Sequence, residues 1–412
     1  MSIWTSDFHR QNMIKYDVAI VGGGPAGLSA AYSAARAGVK VILLEKDQSI
    51  AHNIRTSGVT WIEEIEKLGI SKEYYNPIKN YSFISPSNEI TIKDSSAKAC
   101  VLNVRSAYQH LAILAAEAGA DIMIKANVTS RTINMENHIS ELKVHTPKGD
   151  LLIACTLVID ASGFNTSIGR KAGIVNEWKR YGVGAEYECY CENIDPDTWQ
   201  LMVGQDYSNA GYAWAFPLSR NRVRIGVGIG RPESDEDPLQ KLHYIMEKRY
   251  KPMDKMGKIQ PIEFHYGFIP NQGFRSCTVS DGIILVGDSA GQANPLLLEG
   301  IRYAIEFGRL AGEVGARSLS KNAVMSSLME YDTICREKLE SKIKSALKVQ
   351  HRWIGLSDDE WDKELEILKD LSADEFFDFI KGEFTAGKMI RLSLNHPKLA
   401  ARQLFGLVLN RR

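Results

Sequence analysis

The order of apolar runs and helical patterns near the N-terminus predicts a βαβ unit. Residues 16–21 form a short apolar run typical of a buried strand, residues 28–38 are alanine-rich and typical of a helix, and residues 40–44 form a second apolar run. Similar runs return at 157–160 and 283–286, and the stretch between these two is rich in strand patterns from Val183 onward. The pattern predicts an α/β chain with a β-rich unit inserted into the first one.

The turn between the first strand and the first helix has the sequence Gly22-Gly-Gly-Pro-Ala-Gly27. Gly22 permits a tight turn, Gly24 lets the backbone approach a pyrophosphate, and Gly27 allows the helix to pack closely on the strand. Glu45 lies about 20 residues beyond the glycines, where a carboxylate can bind a ribose hydroxyl. Strand, turn, helix, strand and acid together predict a dinucleotide site.

Composition excludes several classes of protein. The chain has 412 residues, with 50 basic and 50 acidic side chains and 44% hydrophobic residues, which indicates neither a disordered protein nor a globally basic nucleic-acid binder. The six cysteines are scattered and the nine histidines show no ligand spacing, so we expect reduced thiols and no metal site. We find no signal-peptide pattern and no apolar run of membrane-spanning length, and we therefore expect a cytoplasmic protein without a nucleic-acid partner.

A second motif, Gly287-Asp288, closes the apolar run at 283–286. An aspartate at this position can bind the hydroxyls of a ribityl chain. A helix predicted to begin near Gly300 would point its positive end at the negative charge of a reduced flavin. An ordinary turn is the alternative interpretation of Gly-Asp at a strand end.

With Arg105 at the head of a predicted helix, these motifs resemble those of the flavoprotein hydroxylase group, in which FAD lies across a discontinuous first domain. Within that group, Tyr212-Ala-Trp-Ala-Phe-Pro217 and the glycine-containing strand after it are similar to the geranylgeranyl reductases, whose mark is YxWxFP. The resemblance covers about residues 16–315 and implies that Arg105 lies near the flavin and the pyrophosphate.

Pattern and resemblance together predict an α/β fold with three regions. A Rossmann-type FAD-binding domain is discontinuous over 14–75, 100–180 and 275–318, an antiparallel-sheet substrate domain is inserted over 76–99 and 181–274, and a C-terminal helical region covers 319–412. The predicted cofactor-binding residues are Gly22, Gly24, Pro25, Ala26, Gly27, Glu45, Lys46, Arg105, Val128, Asp160, Gly287, Asp288, Gly300 and Ile301.

The YxWxFP motif also has a physical interpretation of its own. Tyr212, Trp214 and Phe216 alternate with alanines, so a strand would place three aromatic rings on one face. The glycines within 226–230 would likewise share one face of the next strand. Aromatic rings beside bare backbone can wall a slot for a long apolar chain, and an ordinary core face is the alternative.

Two segments depart from the pattern of the related reductases. These commonly carry Pro-Leu-Thr-Gly-Gly-Gly-Ile in the loop beside the flavin, whereas this chain has Pro295-Leu-Leu-Leu-Glu-Gly-Ile301. They also often carry a cysteine in a Cys-Gly segment, and Arg55-Thr-Ser-Gly58 occupies that place here. The departures leave open which prenyl substrate is used and whether a thiol takes part.

The C-terminal tail, residues 384–412, combines basic and apolar residues without an acid. A basic amphipathic segment can lie on an anionic lipid surface, here the inner face of a membrane. A helix that covers the core with a solvated basic face is the alternative. The basic residues of the tail are Lys388, Arg391, Lys398, Arg402, Arg411 and Arg412.

The sequence therefore predicts an FAD-dependent reductase that hydrogenates geranylgeranyl-type double bonds of lipids or prenyl diphosphates, as the resemblance implies. Because no second glycine fingerprint is evident, electrons are expected from transiently bound NAD(P)H or from a small redox protein. No side chain is predicted as the proton donor. A flavin-dependent monooxygenase or halogenase is the alternative enzyme, and a non-enzymatic flavin or lipid carrier is a third interpretation.

Overall fold

The structure, a computed structural model, describes residues 13–134, 139–382 and 386–397. Strands β1 to β20 of these residues are, in order, Ile14–Lys15, Val18–Val21, Val41–Leu44, Val59–Trp61, Tyr75–Ile78, Asn80–Ile84, Glu89–Lys93, Ala99–Leu102, Asp121–Met123, Asn127–Asn134, Ile139–Thr146, Gly149–Cys155, Leu157–Asp160, Tyr181–Cys191, Thr198–Met202, Gly211–Ser219, Arg222–Arg231, Ile259–Pro270, Val279–Ser280 and Ile283–Leu285. Helices α1 to α10 are Pro25–Arg36, Ile62–Lys67, Val104–Glu117, Ser167–Lys171, Pro238–Glu247, Ile301–Ser318, Met325–Ile354, Asp358–Leu368, Ala373–Ile380 and Ala386–Asn395.

The first sheet has six strands in the order β19-β20-β13-β2-β3-β9, all parallel except the edge strand β19. Its central strands are buried on both faces. Helices α1, α3 and α6 cover one face, and the four-stranded sheet β1-β12-β11-β10 packs on the other. Burial on both faces explains why these strands are continuous apolar runs in the sequence.

The second sheet has seven strands in the order β18-β14-β17-β16-β15-β6-β7. It joins the segment at 80–93 to the strands after residue 181. The predicted antiparallel sheet needs one correction, because β15 pairs with β6 in parallel. The long chain between these two strands permits either direction. Strands β4, β8 and β5 form a separate three-stranded sheet.

The C-terminal helices complete two hydrophobic cores rather than one of their own. Helix α7 packs on the core of the six-stranded sheet. Helices α8 and α9 cover an aromatic cluster that contains Trp61, Tyr81, Trp199 and Phe376. Each of these two helices begins with a capping box, in which a serine and a glutamate satisfy backbone amides at the helix start.

Within the described part of the chain, no helix is long and apolar enough to cross a bilayer.

Helices α1 and α6 approach each other at backbone distance. Gly308 and Gly312 of α6 face α1, and a Cβ atom on either would clash with a carbonyl oxygen, that of Ala26 or that of Ala30. The two helices therefore need glycine at both positions, and their contact fixes the N-terminal end of α1 against the rest of the fold.

We predict that Gly312→Ala destabilises the protein by about 1–3 kcal/mol, because the added methyl group must push the two helices apart. Urea unfolding measures the change. Gly387→Ala is the matched control, since a Cβ atom there meets nothing within 4 Å. Equal stability of the two variants would contradict the close contact.

Candidate active site

A cavity of about 1060 Å³ lies between the six-stranded and the seven-stranded sheet. It begins where β2, β3 and β13 end, the usual place for a ligand in an open α/β sheet. It continues to a wall of aromatic and aliphatic side chains. We call the first part, around residues 22–26, the glycine end, and the second part, around Trp214 and Trp353, the apolar end.

The three glycines of the first turn have different roles. Gly22 has φ +113°, and Gly27 lies so close to the Gly22 carbonyl oxygen that a Cβ atom on Gly27 would clash with it. Gly24 has an ordinary extended backbone, with φ −78° and ψ 179°, and a Cβ atom there would have no protein atom within 4 Å. Gly24 therefore faces open space at the N-terminus of α1, which fits a bound pyrophosphate.

Glu45 is held by the same turn. Its carboxylate accepts hydrogen bonds from the amide of Gly23 at 2.6 Å and from the amide of Asp47 at 2.8 Å. Glu45 lines the cavity, and so do Lys46 and Val128. The carboxylate is thus fixed at the edge of the glycine end, where the sequence predicts contact with a ribose.

Asp288 lies beside the N-terminus of α6, and the preceding Gly287 packs close to Ala26 of the first turn. Its Oδ1 is 3.6 Å from the position of a Cβ atom on Gly300, and Gly287, Gly300 and Ile301 also line the cavity. Burial raises the pKa of the Asp288 carboxyl from 3.8 to about 6. A desolvated carboxyl beside a helix N-terminus fits the hydroxyls and the polar ring of a flavin.

Three predicted cofactor-binding residues lie outside the cavity lining: Gly27, which packs on the Gly22 carbonyl group, Asp160 and Arg105. Asp160 is completely buried, and its carboxylate accepts from the Ser162 hydroxyl at 2.6 Å and from the amides of Ile168 and Gly169 at 2.9 and 2.8 Å. The Asp160 carboxylate therefore stabilises neighbouring hydroxyl and amide groups inside the protein. The residues that follow it, 161–163, line the cavity instead.

Arg105 also lies outside the cavity lining. It forms an ion pair with Glu263 at 2.6 Å and donates to the backbone oxygen of Ala51 at 3.3 Å. Residues 51–57, but not Arg105, line the cavity. The structure therefore places Arg105 behind the lining, where it holds a segment that forms it.

The aromatic stripe divides between the cavity and the core. Tyr212 and Trp214 line the apolar end, and the Tyr212 hydroxyl donates to the Leu297 backbone oxygen at 2.7 Å. Phe216 is placed differently from the prediction, because its ring packs on Trp199 in the aromatic core, with ring centres 5.6 Å apart. The stripe is a slot wall at one end and an ordinary core face at the other.

A row across four strands was missed by the sequence analysis. Strand pairing aligns His265, Glu186, Gly226 and Trp214 on the face toward the cavity. The indole of Trp214 lies over Gly226 and donates to Glu186 at 2.6 Å, and His265 contacts the other oxygen of Glu186 at 2.8 Å. The sequence contained a signal for this acid. Glu186 stands two and four residues after the glycines at 184 and 182, so a strand places its side chain on the same face as these glycines.

The sequence analysis found no ligand spacing around His265 or the other histidines. His265 is buried and lines the cavity. All six cysteines are free, and none of them is among the described residues that line the cavity. In the described part of the chain, no group of three or more His, Cys, Asp or Glu side chains could hold a metal ion.

Comparisons with known proteins agree on the class of protein. The model of the FAD dependent oxidoreductase family matches residues 17–284. Digeranylgeranylglycerophospholipid reductase 2 of Methanothermobacter thermautotrophicus is 32% identical over 370 residues, which cover 87% of this chain and 94% of that protein. The chain belongs to the geranylgeranyl reductase family. It is therefore an FAD-dependent oxidoreductase.

Other members and solved structures support the family and its fold. Digeranylgeranylglycerophospholipid reductase of Methanocaldococcus jannaschii is 31% identical, over 86% of this chain and 90% of that protein. A geranylgeranyl bacteriochlorophyll reductase-like protein of Thermoplasma acidophilum has a TM-score of 0.84 at 24% identity and covers 96% of this chain and 100% of its own. A flavin-dependent brominase has a TM-score of 0.66 at 18% identity, over 94% and 100% of the two chains. The fold is thus shared with halogenases, whereas the higher sequence identity is to reductases.

The bulky loop by which this chain departs from the family is accommodated by other residues. Leu298, where related reductases have glycine, has φ +53°, a conformation that costs a side chain about 1–2 kcal/mol. Gly182 leaves room for it, because a Cβ atom there would lie 2.9 Å from the Leu298 side chain. Glu299 is buried and forms an ion pair with Arg302 at 2.9 Å, while Thr60 donates to it at 3.1 Å. The Glu299 carboxylate is therefore paired inside the protein, whereas Leu298 lines the cavity.

We predict that Gly24→Val folds normally but loses FAD. The backbone of Gly24 suits valine and no protein atom obstructs the side chain, so its branched group would occupy only the space of the pyrophosphate. The ratio of flavin absorbance to protein absorbance and the melting temperature measure the two effects. A stable variant with full flavin content would show that this turn does not bind the cofactor.

We also predict a pH-dependent effect of Asp288→Asn on flavin-free protein. Because the folded state raises the pKa of Asp288 from 3.8 to about 6, the folded protein binds this proton more tightly than the unfolded chain. The contribution of Asp288 to stability is therefore lost as pH rises through this window. The variant should gain melting temperature relative to wild type at about pH 7 but not at about pH 4. The same difference at both pH values would contradict a desolvated carboxyl.

Proposed function

We propose that this protein hydrogenates geranylgeranyl-type double bonds of lipids or prenyl diphosphates, with hydride from reduced FAD. The observation that carries the proposal is one continuous cavity, with the glycine turn at one end and an apolar wall at the other. A cofactor and a long apolar chain would meet inside it. The relatives named as reductases of digeranylgeranylglycerophospholipids support the same class of substrate.

The apolar end has the chemistry for an isoprenoid chain. Its walls include Leu201 and Trp214 of the seven-stranded sheet, Leu297 of the loop before α6, and Trp353 of helix α7. Each methylene group buried there contributes about 0.8 kcal/mol to binding. Flat rings add contact area without branching into the slot.

The glycine end and Asp288 have the chemistry for FAD. We assign the amides at the start of α1 to the pyrophosphate, Glu45 to the ribose and Asp288 to the ribityl hydroxyls. The N-terminus of α6, at Gly300 and Ile301, stabilises negative charge on the reduced ring. When bound, FAD supplies the hydride, and the side chains of this protein position the alkene and exclude water.

Electrons reach the site from outside in this proposal. The glycine turn is assigned to FAD, so NAD(P)H binds only transiently or a small redox protein delivers the electrons. Related flavin-dependent monooxygenases and halogenases use oxygen instead. The brominase match shows only the fold, at 18% identity.

Peripheral contact with a membrane is part of the proposal. In the described part of the tail, helix α10 exposes 61% of Ile390 and 77% of Leu394, while Leu392 packs on the aromatic core. Lys388 forms an ion pair with Asp378 at 2.8 Å. Exposed apolar residues beside basic ones suit the surface of an anionic bilayer. The predicted contacts of Lys398, Arg402, Arg411 and Arg412 lie outside the described residues.

Anaerobic photoreduction tests the proposed reaction. We expect the reduced holoenzyme to be reoxidised by a geranylgeranyl-bearing lipid, with loss of double bonds in the product by mass spectrometry. Reoxidation by oxygen alone would indicate an oxygenase, and reoxidation by neither would indicate a carrier.

We predict that Leu356→Trp selectively weakens the reaction with long prenyl chains. Leu356 lines the apolar end, so the larger ring shortens the slot but leaves the glycine end unchanged. KM for a geranylgeranyl substrate should rise more than KM for a geranyl substrate, at full flavin content. Ile113→Trp is the matched control, since Ile113 is 56% exposed on α3. Equal effects of the Leu356 variant on both chain lengths would contradict a slot at this end.

A further inference from the structure

Leu298 lies at the tip of the loop before α6, in a backbone conformation that favours glycine. The amide of Asn294 donates to the backbone oxygen of Glu299 at 2.8 Å, which closes the loop and leaves Leu297 and Leu298 at its tip. Leu298 has φ +53°, in the left-handed region that is unfavourable for a side chain. Residues with such strain are concentrated at sites that bind ligands. Leu298 lines the cavity, two residues before Gly300 at the N-terminus of α6.

Hydrogen bonds from other elements hold this tip in place. The hydroxyl of Tyr212 on β16 donates to the backbone oxygen of Leu297 at 2.7 Å. The side-chain amide of Gln350 on α7 donates to the backbone oxygen of Pro295 at 2.5 Å. The loop is thus anchored both to the seven-stranded sheet and to a C-terminal helix, and the backbone of Leu298 is held between them.

The Leu298 side chain reaches from this loop to strand β14. A Cβ atom on Gly182 would lie 2.9 Å from Cδ1 of Leu298, so the side chain packs directly on the backbone of that strand. Both residues line the cavity. A glycine at position 298 would leave this space open. Leu298 therefore takes up cavity volume beside the helix end that we assign to the reduced ring.

Next to this contact, the seven-stranded sheet presents bare backbone to the cavity. Strand pairing aligns Gly184 of β14 with one glycine on each neighbouring strand, Gly267 of β18 and Gly228 of β17. All three glycines line the cavity. They form a floor, three strands wide, from which no side chain projects.

Leu298 and Trp214 are the two sides of a slot above this floor. Leu298 packs on Gly182, and Trp214 shares a row with Glu186. Gly184 lies midway between these two positions, and alternate residues of a strand are only about 7 Å apart. The Trp214 ring is also 3.6 Å from the position of a Cβ atom on Gly184. An occupant of the slot must therefore be narrow, because two large side chains flank one bare residue.

The shape of a prenyl chain changes when it is hydrogenated. The carbons of a double bond and their substituents lie in one plane. Hydrogenation makes both carbons tetrahedral and moves the methyl branch out of that plane, so the saturated unit is thicker. It has at least as much apolar surface as the alkene, and hydrophobic transfer therefore does not favour the alkene. A narrow slot does favour it, because excess bulk in a packed site is unfavourable.

We propose that Leu298 is a specificity-determining residue that favours flat, unsaturated prenyl units over saturated ones. This inference rests on the proposed function. A unit that has just been hydrogenated fits the slot less well than the alkene from which it formed. The side chain of Leu298 thus promotes release of the product and its replacement by a new alkene.

Binding to the holoenzyme with oxidised FAD tests the proposal without turnover. The probes are a digeranylgeranylglycerophospholipid and its fully saturated counterpart in the same detergent, and quenching of flavin fluorescence gives the Kd of each. We expect the ratio of the saturated to the unsaturated Kd to be about 10-fold or more larger in wild type than in Leu298→Gly, because glycine removes one side of the slot. Partition of the two lipids into the detergent is the same for both proteins and cancels in this comparison.

Asn322→Gly is the matched control. Asn322 has nearly the same backbone conformation, with φ +54°, but it is not among the described residues that line the cavity. Glycine there relieves the same backbone strain, so the ratio of Kd values should equal that of wild type. A ratio that falls equally in this control would overturn the proposal, since strain rather than the shape of the slot would then determine it.

A second variant tests the same contact from the opposite side. In Gly182→Ala, the new Cβ atom would lie 2.9 Å from Cδ1 of Leu298 and 3.1 Å from Ile269, so it should push the Leu298 side chain farther into the slot. Binding of the unsaturated lipid should weaken, and Leu298→Gly in the same chain should restore it. Leu298→Ala replaces Leu298→Gly in both comparisons if the glycine variant loses flavin.

The outcomes separate this inference from the proposed function. Equal ratios in wild type and Leu298→Gly overturn the role of Leu298, and they leave the reductase proposal intact if the geranylgeranyl-bearing lipid reoxidises photoreduced wild type. Wild type that binds neither lipid and is not reoxidised by the unsaturated one overturns both proposals.

Discussion

Backbone contact around helix α1 is the constraint on which the rest of the structure depends. The start of α1 packs on Gly22 through Gly27, and its side packs on α6 through Gly308 and Gly312. The N-termini of α1 and α6 both face the same cavity. Fixing the two helices against each other therefore fixes the distance between two positive helix ends, one assigned to a pyrophosphate and one to a reduced ring.

Features that depend on neighbouring residues in the chain could be predicted from the sequence. The turn at 22–27 and the strands of the first sheet follow from local glycine spacing and continuous apolar runs. The environments of Asp160 and Phe216 could not be predicted, because elements distant in the chain form them. Asp160 accepts hydrogen bonds from amides of α4, and Phe216 packs on a tryptophan of another strand.

The same limit applies to the pair of Glu186 and His265. These residues are 79 positions apart, and only the register between β14 and β18 brings them together. Alternation along one strand indicates which side chains share a face, but it does not indicate which residue of another strand lies opposite. The sequence shows that the glycines of β17 share one strand face. Only the strand pairing shows that the Trp214 indole lies over one of them.

The loop with Leu298 and Glu299 shows how a departure from a family pattern is tied into the fold. Arg302, the partner of Glu299, also lies 3.9 Å from Glu64 of α2, and Glu64 forms an ion pair with Lys381 at the end of α9. A buried charge is tolerated only when it is paired, and here the pairing joins the loop beside the cavity to the C-terminal helices. The shape of the loop and the position of those helices are therefore set together.

The wall that these helices contribute has a consequence for the order of synthesis. Ribosomes make the chain from its N-terminus, so every element of the glycine end has been translated before Trp353, Leu356 and Trp361 emerge. Until then, large rings such as Trp61 and Trp199 lack the cover of α8 and α9, and a nascent chain at this stage exposes an aggregation-prone surface. The compartment for the apolar substrate is the last part of the site to close.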